Sequence, residues 1–201
     1  MSGGKKALFL DRDGVINVDS DYVHLRTEFE FKPGIFELCF AAQELGYLLI
    51  VVTNQAGIAR GYYSESEFLD LTQWMVGEFK IHQVDIARTY YCPYHPVFGV
   101  GKYKVDSPDR KPNPGMLLRA QADLNVDLAS SILIGDKLSD IQAAAAAGVG
   151  THILLSSENT EPDIPRDLAH VFYSLDEIRH KFFSTTNGST GKAGTVSALL
   201  P

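Results

Sequence analysis

Asp11 and Asp13 stand one residue apart at the end of an apolar run, KALFLDRDGVIN over residues 6–17. Two carboxylates at that spacing can divide labour, one attacking an electrophile while the other moves protons. Alone, such a pair is as readily a polar turn. What separates the two readings is that polar clusters recur further along the chain: Thr53 and Asn54 after an apolar run, Arg110 and Lys111 in an irregular stretch, and Asp136 and Lys137 after another apolar run. Transfer of a phosphoryl group from a monoester to an aspartate needs a nucleophilic carboxylate, an acid for the leaving alkoxide, donors for the equatorial oxygens and a cation. Asp11 is the expected nucleophile, forming an aspartyl-phosphate, and Asp13 the general acid that later activates water. Thr53 is expected to donate its hydroxyl to the phosphoryl group and Lys111 to supply fixed positive charge. Asp11, Asp136 and the backbone carbonyl of Asp13 form a hard oxygen set suited to Mg2+. Asp140, one helical turn beyond Asp136, either supports that set or is a solvated helix residue.

The elements that must position these groups are legible in outline. Residues 6–10, 47–53 (YLLIVVT), 88–91, 131–135 (SILIG), 151–155 and 171–173 read as short strands, and the nearly continuous apolar run over 47–53 is the pattern of a parallel strand covered on both faces. Helices are expected from Pro33-Gly34 to about residue 44, from the capping sequence SESE at 64–67 to about 80, from Pro114 to about 124, over 138–147 with Gly148 as the stop, and over 175–183. Within them Ile35, Leu38, Cys39 and Ala42, and again Phe68, Leu71, Met75 and Phe79, fall on one face, with Trp74 beside the second set. Strand alternating with helix predicts an α/β fold, a doubly wound parallel sheet. In such sheets reactive groups sit beyond the carboxyl ends of the strands, which is where the polar clusters fall. In an extended segment neighbours alternate faces, so Asp11 and Asp13 are expected to share a centre while Arg12 points away.

The stretch 18–31 is too long for an ordinary strand-to-helix connection and is expected to be a flap over the site. Residues 92–111 (CPYHPVFGVGKYKVDSPDRK) form an irregular loop, and the tail 184–201, rich in Ser, Thr and Gly, has little to bury and is expected to be disordered. The boundary expected is thus one domain over 1–183. At 201 residues with a formal charge of −7, the chain suits one full core and lacks the basic stripe of a nucleic-acid partner. Two distant cysteines, Cys39 and Cys92, fit a reducing compartment. No run has signal-peptide or transmembrane length, so a cytoplasmic protein without a membrane partner is expected.

Four strings in order, DRDGVIN, VVTNQAGIARG, RKPNPGM and GDKLSDIQAA, resemble the haloacid-dehalogenase-type phosphatases, and among them the D-glycero-D-manno-heptose 1,7-bisphosphate 7-phosphatases. The resemblance runs from Phe9 to about Ala147. It implies a Rossmann-like parallel sheet without a large cap domain, and Mg2+-dependent dephosphorylation of a sugar bisphosphate in nucleotide-heptose biosynthesis. By position it implies nucleophile Asp11, acid/base Asp13, phosphate-binding Thr53 and Lys111, and metal-binding Asp136. Substrate contacts are implied at Asp19, Ser20, Asp21 and Tyr22, at Thr53, Asn54, Gln55 and Ala56, and at Arg110, Lys111 and Lys137. A guanidinium at Arg110 can engage a second phosphate bidentately.

The chain departs from the family in one place. Family members carry a zinc loop of the form C-x-H followed by C-x-C, whereas here Cys92 is followed by Tyr94 at the histidine's place and by Ser107 and Asp109 at the cysteines' places. A structural zinc wants four S or N ligands. A substitute site from Cys92, His95 and Asp109 lacks a fourth ligand, so no zinc is expected, with Tyr91, Tyr94, Phe98 and Tyr103 packing the loop instead. A monomer is expected for so small a cap-less domain. Two rivals stand beside the heptose reading: a histidinol-phosphate or general sugar-phosphate phosphatase of the same superfamily, and a silent binding protein that keeps the fold but has lost turnover.

Overall fold

The computed structural model describes residues 3–157 and 168–184; the tail expected to be disordered lies, from residue 185 on, outside the described residues. Six strands form one parallel sheet: β1 (Ala7–Leu10), β2 (Leu48–Asn54), β3 (Ile86–Cys92), β4 (Ile132–Gly135), β5 (Thr151–Leu155) and β6 (His170–Phe172). Their order across the sheet is β3-β2-β1-β4-β5-β6. The winding direction reverses between β1 and β4, and a crevice opens at such a reversal beyond the strand ends. The doubly wound fold expected from the sequence is therefore present, and it places the ends of β1, β2 and β4 side by side.

β1 is buried on both faces, which its unbroken apolar run anticipates. Leu8 and Leu10 project into one core with the inner faces of α1 (Ile35–Glu44), α3 (Glu65–Ile81) and α6 (Leu175–Phe182). Ala7 and Phe9 project into the other, against α4 (Gly115–Leu124) and α5 (Leu138–Ala147). Two-residue alternation along one strand thus divides the interior into two layers. The predicted apolar faces are the buried ones: Ile35, Leu38, Cys39 and Ala42 in α1, and Phe68, Leu71, Met75 and Phe79 in α3. Ser64 caps α3 with Glu67 closing the capping box, as its SESE start suggests.

Two local features differ from the expectation, and a third adds to it. A five-residue helix α2 (Ala56–Arg60) follows β2 directly; five residues are too few to show a period, and only Gly61, in the left-handed conformation that ends it, marks it in the sequence. β3 is longer at both ends than residues 88–91. The flap is tied down at both ends: the Val18 amide donates to the Glu30 carbonyl, the Lys32 amide donates to the Ile16 carbonyl, and Val23 and Phe29 enter the first core.

Phe79 is fully buried, with its ring 5.9 Å from that of Phe31 and 5.1 Å from that of Phe36. Phe79→Ala is expected to cost about 3–5 kcal/mol. Urea denaturation would show it as a lowered midpoint at unchanged slope.

Candidate active site

The chain leaves β1 into a tight turn. The Asp11 amide donates to the Ile134 carbonyl, which fastens the end of β1 to β4, and the amides of Ile16 and Asn17 both donate back to the Arg12 carbonyl. Gly14 adopts φ +90°, and a Cβ there would lie 2.2 Å from Asp136 Oδ2. Glycine is therefore required twice over, by the backbone conformation and by the approach of the β4 carboxylate.

Asp11 and Lys111 meet at the floor of the site. The Lys111 ammonium lies 2.9 Å from Asp11 Oδ1 and 2.5 Å from Asp140 Oδ1, and it donates to the Val52 carbonyl at 2.9 Å. The Arg12 amide donates to Asp11 Oδ1 at 2.7 Å. Lys111 arrives from a loop, yet its backbone is pinned: its amide donates to Asn54 Oδ1 and its carbonyl accepts from Asn54 Nδ2, each at 3.0 Å. Both ends of the Asn54 amide thus go to holding Lys111, a task more specific than the substrate contact expected of it. Burial disfavours the charged amine, but Asp11 and Asp140 outweigh it and push Lys111 up to about 12.

Asp140 is not a solvated helix residue. It is buried, its Oδ2 accepts the Lys137 amide at the start of α5, and its Oδ1 faces Lys111. Its place one turn beyond Asp136 is the sequence signal for it. Oxygens of Asp11, Asp136 and Asp140 all come within 4.8 Å of one another, and Asp136 Oδ1 is buried without a hydrogen-bond partner. A hard, oxygen-only cluster with an unpartnered carboxylate oxygen fits a divalent cation such as Mg2+. The Asp13 carboxylate lies outside that group. Burial, reinforced by Asp140, Asp136 and Asp13 and opposed by Lys111, pushes Asp11 up to about 8. Burial likewise raises Asp136 to about 6, against the opposing charge of Lys137.

Asp13 is held by its own set of donors. Arg12 Nη2 and Nε donate to Asp13 Oδ1 at 2.7 and 3.1 Å, Asn17 Nδ2 donates to the same oxygen at 3.1 Å, and Gln55 Nε2 donates to Oδ2 at 3.1 Å. Arg12 therefore does not simply point away, as strand alternation suggested. Beyond Leu10 the backbone is a turn, and the buried guanidinium folds back onto the neighbouring carboxylate while also donating to the Val23 carbonyl of the flap.

Above these groups lies a cavity of about 320 Å3. Of the residues expected from the sequence, Asp11, Asp13, Asp19, Asp21, Tyr22, Asn54, Gln55, Ala56, Arg110, Lys111 and Lys137 line it, joined by Tyr63, Ser139 and Asp140. Lys137 Nζ bridges 2.8 Å to Asp19 Oδ2, linking the flap to the end of β4. Thr53 is buried beneath, its Oγ1 accepting from Gln55 Nε2 at 2.9 Å, and Ser20 is exposed on the flap away from the lining.

In the loop of residues 92–111 the three groups weighed as a substitute metal site are engaged separately. Cys92 is buried with its thiol toward the Tyr94 carbonyl, His95 Nδ1 accepts the amides of Val97 and Phe98, and Asp109 pairs with Arg119 at 2.6 Å. Tyr94 packs on Tyr103, and the hydroxyls of Tyr91 and Tyr103 both donate to Glu65. Phe98 departs from the expected packing: it is 52% exposed, with the Arg60 guanidinium 4.1 Å from its ring centroid.

Residues 109–178 match the HAD-hydrolase-like family. The chain is 59% identical over 150 residues to the D-glycero-alpha-D-manno-heptose-1,7-bisphosphate 7-phosphatase of Burkholderia mallei, covering 75% of this chain and 79% of that protein. The chain belongs to the heptose-1,7-bisphosphate 7-phosphatase family. It is also 51% identical over 175 residues to the D-glycero-beta-D-manno-heptose-1,7-bisphosphate 7-phosphatase of Vibrio cholerae, with 87% of this chain and 93% of that one covered. Among solved structures, the D,D-heptose 1,7-bisphosphate phosphatase of B. bronchiseptica, complexed with magnesium and phosphate, superposes with a TM-score of 0.76 at 27% identity, over 88% of this chain and 97% of that one. Within this heptose-bisphosphate phosphatase family member, Arg12, Asn17, Tyr63 and Ser139 are site residues to which sequence reasoning assigned no role, and Asp140 is the one it left open.

A bound divalent ion needs ionised carboxylates. With Asp11 raised to about 8 and Asp136 to about 6, Mg2+ binding at pH 7 is expected to release protons, and affinity is expected to rise from pH 6 to pH 8. Titration calorimetry in two buffers of different ionisation enthalpy reads this directly; identical apparent enthalpies would contradict it.

Proposed function

We propose that this protein removes the 7-phosphate of D-glycero-D-manno-heptose 1,7-bisphosphate, using Asp11 as nucleophile and Asp13 as general acid and then base. The observation that carries the reading is the buried Lys111 ammonium set 2.9 Å from Asp11 Oδ1 at the floor of a cavity that Asp13 also lines. A fixed cation beside a carboxylate lets a dianionic phosphate approach a group that would otherwise repel it. Attack by Asp11 on phosphorus breaks the bond to the C7 oxygen, and that oxygen takes the proton of Asp13. The Asp13 carboxylate then removes a proton from water, whose oxygen attacks the aspartyl-phosphate, releasing inorganic phosphate and restoring Asp11. Mg2+, for which Asp11, Asp136 and Asp140 supply oxygens, would neutralise phosphate charge during the transfer.

Arg110 and Lys137, both lining the cavity, supply positive charge for the second phosphate of a bisphosphate. The Thr53 hydroxyl donates a hydrogen bond to the phosphoryl group, and Asp19, Asp21, Tyr22, Asn54, Gln55 and Ala56 form the walls around the sugar. The working unit is a single domain over 1–183, with 18–31 as its flap and 92–111 as a specificity loop, acting as a cytoplasmic monomer with Mg2+ and without zinc. Supporting the last point, Cys92, His95 and Asp109 each have another partner.

Phosphate release with Mg2+ from both anomers of the heptose bisphosphate, beside fructose 1,6-bisphosphate and histidinol phosphate, tests the reading. A strong preference for one heptose anomer is expected, and Asp11→Asn should lower turnover on the order of 10³-fold or more. Comparable slow turnover of all four would replace the substrate assignment with a general sugar-phosphate phosphatase. Unchanged turnover in Asp11→Asn would overturn the mechanism.

A further inference from the structure

Tyr63 lines the active-site cavity from outside the four motif strings that carry the chemistry. Its hydroxyl donates to Gln55 Oε1 at 2.5 Å, buried, while Gln55 Nε2 donates both to Asp13 Oδ2 at 3.1 Å and to Thr53 Oγ1 at 2.9 Å. A side-chain amide has one accepting end and one donating end, and the two are close to the same shape. Which end faces the catalytic pair is therefore decided by hydrogen bonds, and Tyr63 is the group at the other end of Gln55.

The consequence of that choice is chemical. With Nε2 inward, Thr53 receives a hydrogen bond on its oxygen, and its own O–H remains available to a phosphoryl oxygen. The same nitrogen aims the Asp13 carboxyl through Oδ2, while Arg12 and Asn17 hold Oδ1. Oδ1 thus accepts three donors and Oδ2 one, which leaves Oδ2 the oxygen with room for the transferable proton. With the amide turned over, Oε1 would take the Thr53 proton away from the phosphate and set a second acceptor against Asp13.

We propose that Tyr63 is a positioning residue that fixes the orientation of the Gln55 amide, and through it the donor direction of Thr53 and the proton-bearing oxygen of Asp13. The proposal rests on the phosphatase mechanism above. The ring is well suited to the task. It is 6% exposed, it packs with Ile58 and Phe68, and it stacks on His24 at 5.0 Å with an interplanar angle of 5°. A Cβ on Gly57 would come within 2.2 Å of its Cε1, so a glycine in α2 is what lets the ring reach Gln55. Burial raises the phenol to about 12, keeping it a donor throughout the working range.

The test is a cycle of Tyr63→Phe and Gln55→Ala with Mg2+ present, read as kcat and KM on heptose bisphosphate and on p-nitrophenyl phosphate, with the melting temperature measured alongside. Tyr63→Phe keeps the ring and loses one buried hydrogen bond, so kcat is expected to fall about 10-fold with KM little changed. In the Gln55→Ala background the same change should cost nothing further, a non-additivity that a packing role for Tyr63 would not produce. Gln55→Glu, which has no donor to offer, should fall at least as far as Tyr63→Phe while leaving the tyrosine in place. Wild-type kcat in Tyr63→Phe or in Gln55→Glu, or an equal loss from Tyr63→Phe in both backgrounds, would overturn the proposal. A wild-type enzyme that hydrolyses p-nitrophenyl phosphate but not heptose bisphosphate would sink the substrate reading instead, with the cycle still readable on the aryl ester.

Discussion

Everything around the cavity is arranged to keep one ammonium group in a place where water would not put it. Lys111 is buried between Asp11 and Asp140, and a buried charge is tolerated only when its partners are close and its remaining protons are satisfied. The third proton goes to the Val52 carbonyl. That requirement explains why the end of β2 is built as it is: Val52 offers a carbonyl, and Asn54 locks the Lys111 backbone in both directions. It also explains Asp140, which holds the first turn of α5 with one oxygen and the lysine with the other. Strand, helix and loop are joined through a single charged atom.

Such an arrangement leaves an excess of negative charge. Asp11, Asp136 and Asp140 share a small volume, and their mutual repulsion, added to burial, is what raises Asp11. For an aspartate whose folded pKa lies above its unfolded value, the associated stability is present at low pH and is lost as pH climbs through the folded value. In the ion-free protein this site therefore contributes less to stability as pH rises from about 4 to about 8. A ligand that binds the ionised cluster offsets the loss by mass action. Catalytic competence and the tolerance of the fold for its own charges are aspects of one balance.

Much of this was legible in the residues alone. Asp11 and Asp13, Thr53, Arg110 and Lys111, and Asp136 were each marked by a polar cluster following an apolar run or entering an irregular loop, and one parallel sheet gathers them because parallel strands end on one side. The groups that eluded the sequence are those whose roles depend on side-chain direction. Arg12 escapes strand alternation because β1 stops at Leu10, two residues earlier. Asn54 lines the cavity, and its second task, gripping the Lys111 backbone, depends on a direction that spacing does not give. Tyr63 reaches the site only because α2, too short to show a period, turns it inward over Gly57. A pattern of types and spacings locates strand ends well; it is silent on which end of an amide faces which neighbour.

The placement of Arg110, Lys111 and Lys137 around one cavity has a consequence for ligand size. Asp11, Asp13, Asp19, Asp21 and Asp140 line the same cavity and the chain as a whole carries a formal charge of −7, so these cations act on a phosphate only within a few ångströms of it. In physiological salt, fields fade beyond about 8 Å, so a small phosphorylated sugar that has reached the mouth feels mainly the groups that line the cavity. A long polyanion would also have to lie along a chain of net negative charge. Short-range placement of charge thus favours compact phosphate esters over long polyanions.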